Sequence, residues 1–319
     1  MTVSQTSLGS HEPVLEVKDL TVKYIGDTRS TTAVDRVSFS IGAGEIFGLA
    51  GESGCGKSTI ANSIMRLLKD PAKIAGGSIR FGGKDVLAMS TEELRRFRWQ
   101  DVAMVFQSAM NSLNPVLTIG EQITDIYSTH AGYSRKESLH RAGQLLELVR
   151  INPSRLKSYP HQLSGGMRQR AVIAMAVALK PSLLILDEPT TALDVVVQQE
   201  IMAQIKELQR ELGFSVLFIT HDMSLMVELS HRMGVMYGGR IVETAKASEI
   251  HTNPQHPYTQ ALMGAFPPLT GPRVPLTGLA EGVKFRNILD LTEVFPGHFV
   301  APSGDSPEIT PAVLEGAAQ

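Results

Sequence analysis

The chain reads as an α/β protein built around a parallel sheet, and three observations predict this. Glu45–Ala50 is a short apolar run that feeds a glycine-rich loop, Gly51-Glu-Ser-Gly-Cys-Gly56-Lys57-Ser58, and the loop opens a stretch of helical spacing. Leu183–Leu186 and Val216–Ile219 are unbroken apolar runs of strand length, the pattern of strands buried on both faces. Between them Val197, Ile201, Ile205, Leu208 and Leu212 fall on one face of a helix that Gly213 ends. Such alternation of strands and helices specifies a parallel sheet.

Taken in order, residues 1–13 are polar, lack the basic and apolar regions of a signal peptide, and are expected to form a disordered lead-in. Val14–Tyr24 alternates apolar and polar residues, as do Val37, Phe39 and Ile41 before the Gly42-Ala-Gly44 turn, so strands are expected at the front. Lys57–Leu68 has helical spacing at Ile60, Ile64 and Leu67/Leu68. Ile79–Phe81 and Val102–Phe106 read as further strands, with a polar, arginine-rich helix at Ser90–Trp99 between them. From Ser112 to Leu156 the sequence is helical and polar, which predicts a helical insertion over about 108–165. Ser164–Leu179 is a helix with Ser164 as its N-cap. Beyond Val242 the composition shifts, and residues 253–311 are rich in Pro and Gly, which predicts a small appendage of irregular structure. No internal repeat or sustained heptad is present.

The 319 residues suffice for one large or two modest domains, with 43% hydrophobic and 19% charged residues as in ordinary globular proteins. A net charge of −2 gives no global field that favours nucleic acid or acidic lipid. Cys55 is the single cysteine, so no intramolecular disulfide forms and the composition suits a reducing compartment. No run approaches the roughly 20 apolar residues that span a bilayer, so any membrane role is expected to come through a partner.

The chemistry-bearing residues form one series. In Gly51–Ser58 the glycines let backbone amides turn toward phosphate oxygens without a clashing Cβ, and the helix from Lys57 aims its positive end at them. Lys57 is expected to bridge the β- and γ-phosphates, Ser58 to ligate Mg²⁺, and Thr59 to touch the α-phosphate. Asp187 ends an apolar strand at the edge where α/β proteins bind ligands and is a candidate Mg²⁺ ligand. Glu188, next to it, is the candidate general base for an attacking water.

A second glycine turn, Leu163-Ser-Gly-Gly-Met167, opens a helix about twenty residues ahead of Asp187-Glu188. The combination resembles the ATP-binding cassette (ABC) ATPases over about residues 14–245, with the motifs in the family's order. The resemblance implies a P-loop NTPase cassette: an N-terminal antiparallel β subdomain, the helical subdomain at about 108–165, and a C-terminal extension over 246–319. It implies that Tyr24 stacks on adenine, that the loop residues Gly51, Glu52, Ser53, Gly54, Cys55, Gly56, Lys57, Ser58 and Thr59 bind ATP, and that Gln107 senses Mg²⁺ and the γ-phosphate. It further implies that His221 contacts the γ-phosphate, that Thr191–Asp194 lines a dimer seam, and that Ser164, Gly165, Gly166 and Met167 cap an ATP held by another subunit. Metal ligands are then Ser58, Gln107 and Asp187. Met167 stands where the family more often has Gln.

Three flanking segments narrow the resemblance: Phe106–Pro115, Tyr159–Arg170 and Asn253–Thr259 look like the oligopeptide/dipeptide importer branch. This implies an ATP- and Mg²⁺-dependent energy-coupling subunit at the cytoplasmic face of the membrane. Its partners are then a related, non-identical second ATPase, two permease subunits and, indirectly, a solute-binding protein, with no nucleic acid. Relatives of the branch also move nickel and oligosaccharides. Many members have a cysteine-rich tail proposed to hold an iron–sulfur cluster; this tail has no cysteine, so no such cluster is expected. DNA-repair and translation ATPases share the signature logic, but the coiled coil, zinc module or second cassette they need is not in this sequence. An exporter ATPase is disfavoured by His256-Pro-Tyr258.

Overall fold

The structure, a computed structural model, describes residues 12–26, 29–107, 109–190, 193–265 and 288–302. The long strands β1 (Leu15–Ile25) and β2 (Ser30–Ile41) form an antiparallel pair. Strand β3 (Ile46–Gly51) enters the phosphate loop and α1 (Lys57–Ile64) leaves it. Strand β4 (Ala72–Phe81) returns beside β1, and the short β5 (Lys84–Asp85) pairs with β4. Helix α2 (Thr91–Arg96), started by a Ser90–Glu93 capping box, precedes β6 (Val102–Val105). Helices α3 (Ile119–Ala131), α4 (Arg135–Leu148) and α5 (Gly165–Val177) follow. The chain then alternates β7 (Leu183–Asp187), α6 (Val195–Leu212), β8 (Ser215–Ile219), α7 (Met223–Leu229), β9 (Arg232–Tyr237) and β10 (Arg240–Lys246). Helices α8 (Ala247–Thr252) and α9 (Pro257–Gly264) and strands β11 (Thr292–Phe295) and β12 (His298–Val300) complete the described residues.

Among those residues there are two sheets, one ordered β2-β1-β4-β5 and one ordered β11-β12-β10-β9-β3-β8-β7-β6. In the larger, β3 runs parallel to β8 and β9, and β7 runs parallel to β8 and β6. Because successive strand residues face opposite sides, each apolar run divides between two cores. Leu184, Leu186, Val216 and Phe218 pack with α3–α7 on one side. Leu183, Ile185, Leu217 and Ile219 pack with α1 and the antiparallel sheet on the other. That is why these strands carry no polar alternation: no face meets water.

The structure differs from the sequence expectations at three places. The helix expected over Lys57–Leu68 stops at Ile64, because Arg66 takes a left-handed φ of 49° and closes it. The helix expected over Ser90–Trp99 stops at Arg96. Arg98 turns extended (ψ 131°), and its guanidinium donates to the carbonyls of Met65 (3.0 Å) and Arg66 (2.7 Å), satisfying the end of α1. The described parts of the region after Val242 are not irregular. They hold two helices, and β12 pairs antiparallel with β10, extending the main sheet. Residues 266–287 and 303–319 of that region, and residues 1–11 of the expected lead-in, lie outside the described residues.

What draws the C-terminal segment into the core is Glu243 on β10, fully buried. Its Oε1 accepts the amide of Gln255 (2.7 Å) and lies 2.7 Å from His298 Nε2, and its Oε2 accepts the amide of His256 (2.9 Å). A carboxylate is tolerated there only because donors surround it. Replacing His298 with Ala is therefore expected to destabilise the fold by about 2–4 kcal/mol, measured by denaturant unfolding. A change of under about 0.5 kcal/mol, the size of a surface substitution, would contradict the burial of this strand.

Candidate active site

The glycine loop bends sharply where it leaves β3. Gly51 has φ 143°, and a Cβ there would lie 2.3 Å from the carbonyl oxygen of Met236 on β9, so no other residue fits without moving a strand. Lys57 is buried beneath the loop, and its Nζ donates to the carbonyls of Gly51 (2.6 Å) and Glu52 (2.8 Å). Cys55 Sγ sits 3.6 Å from the same ammonium, and burial raises its thiol pKa in spite of that charge.

The other strands deliver their residues to the same place. Ser58 Oγ donates to Asp187 Oδ1 at 3.0 Å, across 129 positions of sequence. Asp187 is buried, and its carboxyl pKa is raised chiefly by that burial; the neighbouring Glu188 charge adds to the effect, and Ser58 and Lys57 oppose it. Glu188 takes a left-handed φ of 46°, unusual for a side chain of its kind, and its amide donates to Ile219 at the end of β8 (2.9 Å). Gln107, just past β6, donates from Nε2 to Glu188 Oε2 at 3.0 Å. His221, just past β8, places Nδ1 3.5 Å from Glu188 Oε1. The carboxyl ends of three adjacent parallel strands thus converge on one carboxylate, where ligands of α/β sheets bind.

The loop, Gln107 and Glu188 border an open cleft of about 560 Å³, whereas Asp187 and His221 do not line it. Its lining includes Ser53, Gly54, Gly56, Lys57, Ser58 and Thr59 of the loop, Gln107 and Glu188 at one end, and half-exposed Tyr24 on the wall. Three loop residues expected to bind ATP do not line it. Gly51 lies under the loop, the Cys55 side chain is buried, and the Glu52 amide donates to Tyr258 Oη (3.1 Å) instead. Thr31, Thr32, Ala33 and the Gly238-Gly239 turn line the cleft and escaped the sequence reading. The paired glycines between the apolar runs of β9 and β10 were the available signal for that turn.

The second glycine turn lies elsewhere. Ser164 caps α5, its Oγ accepting the Met167 amide at 3.2 Å. Gly166 packs so closely on α6 that a Cβ would meet Val197 Cγ1 at 2.8 Å. None of Ser164, Gly165, Gly166 or Met167 borders the cleft. Asp194 caps α6 by accepting the Val197 amide (3.0 Å), while Thr191 and Ala192 lie outside the described residues.

Comparison with known proteins adds to this geometry. The ABC transporter family matches residues 34–191. Over 314 residues the chain is 44% identical to the probable peptide ABC transporter ATP-binding protein y4tR of Sinorhizobium fredii, covering 90% of this chain and 94% of that protein. The chain belongs to the ABC transporter ATP-binding proteins. This ABC ATPase is also 45% identical over 294 residues to the dipeptide transport ATP-binding protein DppD of Haemophilus influenzae, covering 91% of this chain and 85% of that protein. Residues 242–287 match a second family, the oligopeptide/dipeptide transporter C-terminal region. Among solved structures it resembles a dimeric ATP-binding cassette in a post-hydrolysis state bound to ADP and phosphate (TM-score 0.65, 29% identity, 73% of this chain and 98% of that one). It also resembles CbiO1 of Clostridium perfringens, part of the ABC transporter complex CbiONQ (TM-score 0.67, 26% identity, 76% of this chain and 92% of that one). No described helix of the ABC ATPase is long and apolar enough to cross a membrane.

The position of Cys55 makes phosphate binding measurable. Alkylation near neutral pH is expected to be slow, because burial keeps the thiol protonated, and to rise with pH. Mg-ATP is expected to slow it further by closing the loop over the sulfur. Equal labelling rates with and without Mg-ATP, read by mass spectrometry, would contradict phosphate binding at this loop.

Proposed function

We propose that this ABC ATPase powers peptide import as one of two cassettes, and that each of its two ATP-related features serves a different nucleotide. The observation that carries the reading is the lining of the cleft: the phosphate loop, Gln107 and Glu188 border it, and Ser164–Met167 do not. A second cassette is the source of the missing turn. Its Ser-Gly-Gly segment supplies a helix N-terminus to the nucleotide held here, and Ser164, Gly165 and Gly166 do the same for the nucleotide held there. Asp194 lies at the seam between them, and the second cassette is a related, non-identical chain. The chain is then organised as a cassette over 14–245, with its helical subdomain at about 108–165, and an oligopeptide-transporter-type extension over 246–319.

In the cleft, Tyr24 stacks on the adenine and the loop amides hold the phosphates, with Lys57 bridging β and γ. The donor set suits Mg²⁺: Ser58 and Asp187 offer adjacent hard oxygens, Gln107 offers a third, and substrate phosphates complete such sites. The buried Asp187 carboxylate, with Glu188 beside it, is also a place where a cation relieves the electrostatic cost. When bound, the ion neutralises charge on the β- and γ-phosphates. Glu188 accepts a proton from the attacking water as the water oxygen bonds to the γ-phosphorus. The bond from that phosphorus to the β,γ-bridging oxygen breaks, leaving ADP and phosphate. Gln107 and His221 hold the two carboxylate oxygens, and His221 reaches the γ-phosphate.

The permease subunits dock on the groove beside this end of the molecule. That groove, about 350 Å³, is mainly apolar and is bordered by Trp99, Met104, Phe106 and Met175. Trp99 and Phe106 are 38% and 43% exposed, a large apolar surface for a soluble face. Gln107 follows Phe106 directly, so a force on the groove reaches the base. Such docking places the ATPase at the cytoplasmic face of the membrane as a peripheral subunit. The peptide cargo is supported by the names of the relatives and by the match over residues 242–287.

Glu188→Gln is expected to bind ATP as before and to lose roughly 10²–10⁴-fold in turnover, the size of a general-base effect. Nucleotide binding and ATPase rates on the same preparation check this. Near-normal hydrolysis by that variant would assign the base elsewhere.

A further inference from the structure

One side chain of the C-terminal segment reaches the phosphate loop. Tyr258, in the first turn of α9, is 1% exposed, and its hydroxyl accepts the amide of Glu52 at 3.1 Å. The carbonyl of Glu52 in turn accepts Lys57 Nζ at 2.8 Å. The backbone of Glu52 is therefore held from both ends, by the extension on its amide side and by the phosphate-facing lysine on its carbonyl side. The Tyr258 ring leans on Tyr237 (centroids 4.7 Å apart), next to the Met236 carbonyl that leaves no room for a Cβ at Gly51.

Tyr258 is itself fixed from behind. Its amide donates to His256 Nδ1 at 3.1 Å, and the amide of His256 donates to the buried Glu243 carboxylate at 2.9 Å. Burial lowers His256 to about 4, so Nδ1 stays an acceptor at neutral pH. Burial likewise raises the Tyr258 phenol, which keeps it protonated and neutral against the loop. A continuous path of hydrogen bonds thus runs from β10 through His256 and Tyr258 to Glu52 and Lys57.

We propose that Tyr258 is a positioning residue of the phosphate loop, through which the C-terminal segment sets the affinity for the nucleotide's β- and γ-phosphates. The inference rests on the ATP site described above. The hydroxyl does not line the cleft; it fixes the Gly51–Glu52 peptide, whose carbonyl oxygen, that of Gly51, accepts Lys57 Nζ at 2.6 Å and so orients the ammonium. A segment that continues the main sheet can thereby tune the loop that Tyr258 touches.

The test is equilibrium binding of Mg-ATP and Mg-ADP to the full chain, comparing wild type with Tyr258→Phe, which keeps the ring and removes the acceptor. Both affinities are expected to fall on the order of 10-fold, because both nucleotides carry the β-phosphate, and KM in the assembled transporter is expected to rise by the same factor. A merely structural residue would lower the unfolding midpoint and leave the affinity of the folded protein unchanged. Glu243→Gln, which acts through the same path, is expected to lower affinity too, and the double variant to lose less than the product of the two single losses. Unchanged affinity in Tyr258→Phe overturns the proposal whatever the second variant does, and multiplicative losses overturn the path from Glu243. Wild-type chain that binds no Mg-ATP would overturn the ATP site itself, whereas equal binding by wild type and Tyr258→Phe would overturn this inference alone.

Discussion

The hydrogen bond from Ser58 to Asp187, 3.0 Å long, joins the two halves of the site, and the rest of the molecule is arranged so that it can form. One residue starts the helix after β3 and the other ends β7. They meet because β8 lies between those strands, parallel to both, so that all three end on the same edge. A parallel sheet needs both faces covered. The antiparallel sheet with α1 covers one, and α3–α7 cover the other. The helical region and the front strands are in this sense consequences of where the phosphate loop and the acidic strand end must stand.

The same edge explains why the proposed base, Glu188, is strained and flanked on both sides. Glu188 follows Asp187 directly, so once Asp187 is in the strand the next residue must turn out of it. The left-handed φ of 46° and the amide bond to Ile219 make that turn. The side chain then lies between Gln107 and His221, which come from the ends of the flanking strands. Gln107 sits on a loop between Glu188 and the apolar groove, a geometry suited to the proposed coupling of hydrolysis to that groove.

Much of this was legible in the sequence, where local chemistry and local spacing coincide. The loop glycines, the unbroken strands and the Ser164 cap announce themselves within a few residues. What the sequence hid depends on distant partners. Arg66 and Arg98 end helices that periodicity would have continued, and the reason lies in carbonyls across the fold. The Pro- and Gly-rich tail reads as irregular because its order comes from Glu243, a buried carboxylate whose donors lie 12, 13 and 55 positions away. Glu52 looked like one more phosphate-binding amide, and only the position of Tyr258 shows where that amide is spent.

The glycine turn at Ser164 stands apart from the cleft and packs tightly on α6. A chain that, as proposed, holds one half-site and completes another is expected to hydrolyse ATP only in company. The direct measurement is the ATPase rate per chain across a dilution series of the chain with its copurifying partner cassette, with light scattering to follow assembly. The rate per chain is expected to fall in step with dissociation of the pair. A rate per chain that stays constant where scattering shows only monomers would contradict it.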